Sequence, residues 1–321
     1  MECISVEMNT KFIWNMLFAA ICWTKNGNTP GHGARYGLDE KDKFSSLPIG
    51  DSRAILVWDD SLGWTYFSDL SAEIRDFLDL YLPICNSPLQ KSFVIGHLGQ
   101  GLDGYIAASS GDSNYVTGRE NILHLHRMRA LCDAVVVGAG TALSDNPRLT
   151  TREVKGKHPV RVIIDPQLRL PSDLSIFTDE VSETLIFFDE KIKSHVFSKN
   201  ETVSLIGVPL INGRLDLESL LNALNSRGLM TVFVEGGGKT VSGFLEKNLL
   251  NRLQIAISPL VIGEGIPGIR VTPKKRLKDC LRPHSRVFRM GNDILFDCDL
   301  RSIDREVAEI DSELPGISRI N

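Results

Sequence analysis

Glu235 stands where a carboxylate could do chemistry. It closes the apolar, β-branched run Thr231-Val232-Phe233-Val234 and precedes Gly236, Gly237 and Gly238. Beyond the glycines, Val241, Phe244 and Leu245 recur at helical spacing. A strand, a glycine turn and a helix start together make an anion site, because first-turn amides lack partners within the helix and the dipole favours negative charge. Glycine lets a phosphate approach the backbone with no Cβ in the way. The pattern fits neither a Walker loop nor GxGxxG, and taken alone it is equally a tight connection. Arg129 and Arg152 carry planar forks suited to one shared phosphate, with a surface ion pair as the alternative. Asp145, before Asn146-Pro147, could act on a ligand or fix its own turn.

Composition bounds what such residues can serve. The chain has 321 residues, 42% hydrophobic and 24% charged, ordinary values for a globular protein of one large or two smaller domains. A net charge of -4 argues against nucleic acid as a partner. Lys274, Lys275, Arg276 and Lys278 form one basic run, expected to be a solvated loop. Six cysteines lie scattered with no CxxC pair, which suggests reduced thiols in a cytosolic protein. No metal framework is visible. His124 and His126, two apart on a helix, point in nearly opposite directions. The apolar run 12–23 is too short to span a bilayer, and Glu2 and Glu7 offset Lys11 where a signal peptide would be positive. It is expected to be a short amphipathic helix packed on the body.

The elements that must position these residues follow in order. Residues 1–90 differ from the rest: a helix over 12–22, a glycine- and charge-rich loop over 26–43, a strand over 53–58, and a helix over 71–81 capped by Ser71 with Ile74, Phe77, Leu78 and Tyr81 on one face. Pro83 and Pro88 then mark a linker. No catalytic constellation is found there, and His32 and Arg35 are expected at the surface. Strands are expected at 92–98, 105–107, 133–137, 161–164, 184–188, 202–208, 231–234 and 252–258, with helices at 119–131 and 216–227, the latter capped by Asp216 and stopped by Gly228. A hairpin about Gly291-Asn292 closes the series. Strands alternating with helices imply a mostly parallel sheet covered on both faces, with ligands beyond the strands' carboxyl ends. Gly138 to Thr141, Asp165 onward, and Glu235 to Gly238 are three such ends.

Five segments carry a resemblance: LDGYIAASSGDSNYVT (102–117), HRMRALCDAVVVGAGTALSDNPRLTTR (126–152), RVIIDPQLRLP (161–171), VFVEGGGKTVSGFL (232–245) and VIGEGIPG (261–268). In this order, across residues 92–299, the chain resembles the reductase domain of bacterial riboflavin biosynthesis. The resemblance implies a dihydrofolate-reductase-like α/β fold, with a mostly parallel sheet flanked by helices and a C-terminal antiparallel hairpin. It implies NADPH-dependent reduction of a phosphoribosylaminopyrimidine, ribosyl to ribityl, and a homodimer in the cytoplasm. The chain then divides into an N-terminal accessory extension (1–90), a reductase domain (91–300) and a tail (301–321). No HxE with a following PCxxC occurs, so residues 1–90 are not expected to be the deaminase of bifunctional members.

The resemblance also assigns positions. Gly99 and Tyr115 fall beside the nicotinamide, and Thr141 and Asp145 in a cofactor-contacting segment. Gly237, Gly238, Lys239, Thr240, Val241, Ser242 and Gly243 match the pyrophosphate turn, and Arg169 the 2′-phosphate. Ser113, Arg129, Leu149, Arg152 and Glu235 match substrate positions. Asp145 and Glu235 are the candidate catalytic carboxylates, as proton donors, with water as the alternative. Read from the residues alone, Tyr115 could be ordinary core and Glu235 could cap a neighbouring amide. Four departures bear on the substrate: Gly101 for a serine, His97 for a lysine of some members, Asn146 for an aspartate and Pro166 for a serine. A reductase of another heterocycle, or a non-catalytic nucleotide-binding paralogue, are the alternatives.

Overall fold

The computed structural model describes residues 10–28, 30–67, 69–86, 92–193 and 200–301. Pro88, Cys3, Glu2, Glu7 and nearly all of the expected tail lie outside them.

The N-terminal part opens with α1 (Thr10–Lys25), whose buried stripe is Ile13, Trp14, Met16, Leu17, Ala20 and Ile21. The segment expected as a loop over 26–43 instead contains β1 (Arg35–Leu38), paired antiparallel with β2 (Phe44–Leu47). Its glycine and charge have local uses. Asp39 Oδ1 accepts the amides of Lys41 and Lys43 to make the turn, and a Cβ at Gly37 would lie 2.1 Å from the Arg53 carbonyl, just ahead of the neighbouring strand. With β3 (Ala54–Asp59) and β4 (Gly63–Tyr66) these strands form a sheet of order β2-β1-β3-β4. Tyr36, Phe44, Trp58 and Trp64 meet edge-on or stacked on it, with centroids 5.1–5.6 Å apart.

Helix α2 runs Ala72–Cys85. Ser71 makes no side-chain cap; its carbonyl, not its hydroxyl, takes the Arg75 amide. Pro83 lies inside the helix rather than in a linker. A proline there leaves the carbonyl four residues back without its amide, and Arg286 Nη2 donates to that Asp79 carbonyl at 2.6 Å.

The larger part is built on β5 (Phe93–Gln100), β7 (Ala134–Gly138), β8 (Val160–Ile164), β9 (Thr184–Asp189), β10 (Val203–Val208), β13 (Thr231–Glu235) and β14 (Arg252–Ile257). Two further strands, β16 (His284–Met290) and β17 (Asp293–Asp299), form the expected hairpin. Among the described residues the sheet has nine strands in the order β10-β9-β8-β7-β13-β5-β14-β17-β16. The run from β10 to β14 is parallel, and β17 joins it antiparallel. This is the mostly parallel architecture expected. Short strands β6 (Tyr105–Ala108) and β15 (Gly265–Pro267) pair beside it, and β11 (Leu210–Ile211) pairs with β12 (Arg214–Leu215).

Strand periodicity of two sorts the side chains. Phe93, Ile95, Val135, Val137, Ile163 and Phe233 join one core, with α1, α2, α3 (Arg119–Leu131), α4 (Ala139–Asp145) and α5 (Ser175–Thr178). Val94, Val136, Val162, Val232 and Val234 join the other, under α6 (Leu217–Asn225) and α7 (Gly238–Glu246). Asp216 caps α6 as expected, accepting the Ser219 amide at 3.1 Å, and Gly228 follows at φ +75°. The N-terminal part thus shares the α3-side core.

Candidate active site

Strand β13 lies between β7 and β5, so Gly138, Glu235 and the Gly99 end of β5 come out side by side. Glu235 registers with His97 on β5, and both keep the phase of Phe233 and Ile95, which faces α3. There Arg129 grips Glu235 with both arms of its fork: Nε donates to Oε2 at 2.7 Å, and Nη2 to Oε1. Arg129 Nη1 donates to the Thr150 carbonyl at 3.2 Å. Arg129 is buried and the Glu235 side chain is nearly so. Arg129, expected to hold a phosphate with a surface ion pair as the alternative, instead makes an internal ion pair that orients a carboxylate.

The turn after Glu235 is left-handed twice, at Gly236 (φ +89°) and Gly237 (φ +76°), a backbone that non-glycine residues adopt only with strain. It delivers the chain into α7, where the amides of Gly238 and Lys239 belong to the first turn and have no acceptor within the helix. Thr141, in the first turn of α4, faces this turn: a Cβ at Gly237 would lie 2.9 Å from its Oγ1. Beside Gly236 only the Thr141 methyl comes within 4 Å, at 3.8 Å, and nothing lies that close to Gly140. At Gly238 the backbone is instead covered: a Cβ there would lie 2.3 Å from the Gly268 carbonyl. Lys239 is exposed, Val241 is sunk in the α7-side core, and Ser242 Oγ accepts the Arg270 amide at 2.8 Å. Gly243 lies in the same helix, against Leu217.

The remaining sequence-assigned residues lie at the end of β5 and on the segments that follow β6, β7 and β8. Gly99 abuts Thr117, whose methyl would be 2.7 Å from a Cβ there. Tyr115, with φ +60°, is 88% exposed rather than core, a full aromatic face offered to solvent after β6. Ser113 sits at the start of the same turn, its carbonyl taking the Val116 amide. Asp145 ends α4, exposed, and accepts from Ser144 Oγ at 2.6 Å. The turn itself is fixed by Asn146, left-handed at φ +40°, whose Oδ1 takes the Ser175 amide. Leu149 is buried at φ +54°. Arg169 is exposed in the turn beyond β8, a turn tied by Asp165 Oδ2 to the Leu170 amide. Arg152 is exposed, and its amide donates to His126 Nδ1 at 3.2 Å.

Reading the residues alone missed the histidines. His126 is pushed down to about 4, first by burial and then by the cations of Arg129 and Arg152. His97 is also pushed down to about 4, chiefly by burial, with Glu235 pulling the other way. Its Nε2 meets Asn121 Oδ1 at 3.1 Å, and Asn121 Nδ2 donates to Thr117 Oγ1 at 2.9 Å. The signal that could have found them was phase: His97 and Glu235 each follow an inward-facing residue by two. Asp103, in the turn after β5, holds the loop beyond β14 through the Ile262 and Gly263 amides, and these bonds lower its pKa, Gly263 first. Among the described residues no helix is long and apolar enough to cross a membrane.

A parallel sheet with a glycine turn, a helix N-terminus and a gripped carboxylate at its central strand end makes an α/β domain whose candidate site lies beyond the strands' carboxyl ends. The profile of the RibD C-terminal domain matches residues 92–295, and the chain belongs to that family. The Riboflavin biosynthesis protein RibD of Aquifex aeolicus is 30% identical over 178 residues, covering 55% of this chain and 49% of that protein. The chain thus spans about half the length of that relative. The 2,5-diamino-6-ribosylamino-4(3H)-pyrimidinone 5′-phosphate reductase of Methanothermobacter thermautotrophicus is 31% identical, covering 54% of this chain and 80% of that one. A solved diaminohydroxyphosphoribosylaminopyrimidine deaminase/5-amino-6-(5-phosphoribosylamino)uracil reductase from Thermotoga maritima superposes with TM-score 0.55 at 27% identity, covering 71% of this chain and 61% of that one. The fold is the dihydrofolate-reductase-like one expected.

Proposed function

We propose that this chain is an NADPH-dependent reductase of a phosphoribosylaminopyrimidine, converting the ribosyl group to a ribityl chain. The observation that carries this is the Arg129–Glu235 pair set beside the Gly236–Gly237 turn. Such a carboxylate would serve as a fixed acceptor for sugar hydroxyls, and the helix start beside it suits an anion. The names of the relatives support the substrate class. Gly237, Gly238, Lys239 and Thr240 would hold the dinucleotide's pyrophosphate, Thr141 and Gly99 its neighbouring groups, and Arg169 the 2′-phosphate. When bound, the nicotinamide supplies hydride to the sugar's C1. The protein's own part is orientation. Glu235 accepts from the sugar, Arg152 meets the phosphate with Arg129 adding charge behind it, and Tyr115 covers the opening. Asp145, exposed beside Thr141, is the carboxylate from which a proton could reach the substrate nitrogen through water.

The unit is proposed to act as a cytoplasmic homodimer. Val261, Leu277 and the outer edge of β16 offer apolar and unpaired backbone surface to a second copy. Two observations favour a second reading, a related heterocycle as substrate. A Cβ at Gly101 would lie 2.7 Å from the Leu260 carbonyl, so the serine of the family pattern would not fit this turn, and neutral His97 replaces a cationic lysine. The test is NADPH consumption with 5-amino-6-(5-phosphoribosylamino)uracil, its 2,5-diamino-pyrimidinone counterpart and the dephosphorylated riboside. The proposal expects turnover with a phosphorylated form and at least tenfold poorer kcat/KM without the phosphate. Equal rates with and without phosphate would remove it.

A further inference from the structure

The buried polar groups do not stop at the crevice. Behind His97 lies His124 of α3, fully buried, with ring centroids 5.5 Å apart. His124 Nε2 meets Gln254 Oε1 at 2.9 Å, and its Nδ1 meets the Tyr81 hydroxyl at 2.9 Å. Tyr81 comes from α2, in the N-terminal part, outside the region matched by the family profile. The direction of every bond in this chain can be worked out. Asp297, gripped by Arg252 through both oxygens, accepts from Gln254 Nε2 at 3.3 Å. The Gln254 amide nitrogen is thereby turned to Asp297, leaving its oxygen for His124. His124 must then carry its proton on Nε2, so Nδ1 is a bare lone pair and the Tyr81 hydroxyl is the donor. For the other ring the structure sets the amide the same way, although the Thr117 hydroxyl, unlike the Asp297 carboxylate, can give or take a proton. Asn121 gives its amide nitrogen to Thr117, so its oxygen accepts from Nε2–H of His97.

We propose that Tyr81 is a positioning residue for the reductase site: its hydroxyl satisfies His124, which backs His97 on the strand beside Glu235. The reading rests on the proposed reductase function but assigns a site role to the N-terminal part, expected from sequence to do no chemistry. Two further contacts fit it. Arg127 of α3 lies over the rings of Phe77 (4.8 Å), Tyr81 (5.8 Å) and Trp14 (5.9 Å), all from the N-terminal part. Helix α3 therefore shows one side to α1 and α2 and, two residues on, presents Arg129 to Glu235. With the hydroxyl gone, a buried lone pair on His124 has no donor, and the ring's least costly response is to shift or tilt. His97 is its neighbour, with Asn121, Thr117 and Gly99 in line behind.

The experiment compares Tyr81→Phe with Tyr66→Phe in the full chain. Tyr66 also gives its hydroxyl to α2, at Asp79 Oδ1 (2.8 Å), so its loss removes a similar bond away from the histidines. Histidine-ring nitrogen NMR reads the coupling without any turnover. In the wild type, His97 and His124 should be neutral Nε2–H tautomers down to pH 5. Around His124 stand Tyr81, His97, Arg127 and Gln254; around His97 stand Asn121, Glu235, Arg129 and His124. Tyr81→Phe should move the His97 ring resonances, and Tyr66→Phe should leave them in place. Kinetically, Tyr81→Phe should lower kcat roughly five- to twentyfold with KM for NADPH within about twofold, while Tyr66→Phe matches the wild type. An Nδ1–H tautomer for His124 in the wild type overturns the proposal even if the variant does not fold. So does an unmoved His97, or equal kcat in the two variants. A wild type inert toward every aminopyrimidine would instead reject the function, and the ring resonances would still decide the coupling.

Discussion

On the α6–α7 side of the parallel sheet, Val94, Val136, Val162, Val232 and Val234 meet Leu220, Leu224, Val241 and Phe244 in an aliphatic layer. On the α3 side the same strands also turn inward His97, Arg161, Thr231 and Gln254, with Glu235 at the strand end. Burying such groups costs free energy unless each finds a partner, and most here do: Arg129 with Glu235, Arg252 with Asp297, His124 with Tyr81 and Gln254. The α6–α7 face is aliphatic and lends the candidate site only the start of α7. The other carries the gripped carboxylate, and the N-terminal part packs into its core.

The comparison is broken most severely by large changes on each face. Arg129→Ala should leave Glu235 nearly buried without a partner, costing about 3–5 kcal/mol in denaturant unfolding and abolishing measurable turnover. Phe244→Ala, on the aliphatic face, should cost a similar 3–5 kcal/mol by cavity formation while the folded fraction keeps wild-type kcat. If Phe244→Ala lost kcat as Arg129→Ala does, the division of labour between the faces would be wrong.

The next effect is on stability against pH. His97, His124 and His126, all on the α3 side, are held at about 4, 3 and 4 respectively, chiefly by burial, against an unfolded value of 6.5. Between pH 6.5 and 4 the unfolded chain binds more protons, so stability is full above 6.5 and falls as pH drops through that window. Each histidine contributes up to roughly 1.4 kcal/mol per pH unit there. His126→Gln should flatten the slope of urea midpoint against pH; an unaltered slope would mean that His126 titrates normally. Smaller again, Arg152→Ala should raise KM for the phosphorylated substrate by about 1.5–3 kcal/mol equivalent, with stability within about 0.5 kcal/mol and NADPH affinity intact. Last, Gly237→Ala should cost about 1–2 kcal/mol of stability through its left-handed backbone and weaken NADPH binding, read by fluorescence titration.

Much of this was legible in the sequence because it was local. The strand at 231–234, the α3 boundaries, the Asp216 cap and the closing hairpin follow from periodicity and turn chemistry. The three strand ends that meet were visible as Gly138, Asp165 and Glu235. What stayed hidden depended on partners far along the chain. Pro83 reads as a breaker until Arg286 is found at the carbonyl it frees. Gly37 reads as loop until β3 is seen to need its missing Cβ. Arg129 looked like a phosphate ligand or a surface ion because nothing local says that Glu235, 106 positions away, fills its fork. Tyr81 looked like core, which it is, but its hydroxyl has a use that only the assembled α3 side reveals.

The most direct test of the account is Glu235→Gln in the full chain, with initial rates of NADPH oxidation measured on the phosphoribosylaminopyrimidine that the wild type turns over. Glutamine keeps the shape and one acceptor oxygen but removes the charge that Arg129 grips. The account predicts that kcat falls by at least about a hundredfold, some 2.7 kcal/mol, while circular dichroism and NADPH binding stay close to wild type. A folded Glu235→Gln protein with wild-type kcat and KM would contradict it, because the carboxylate on which the α3 side converges would then have no part in the reaction.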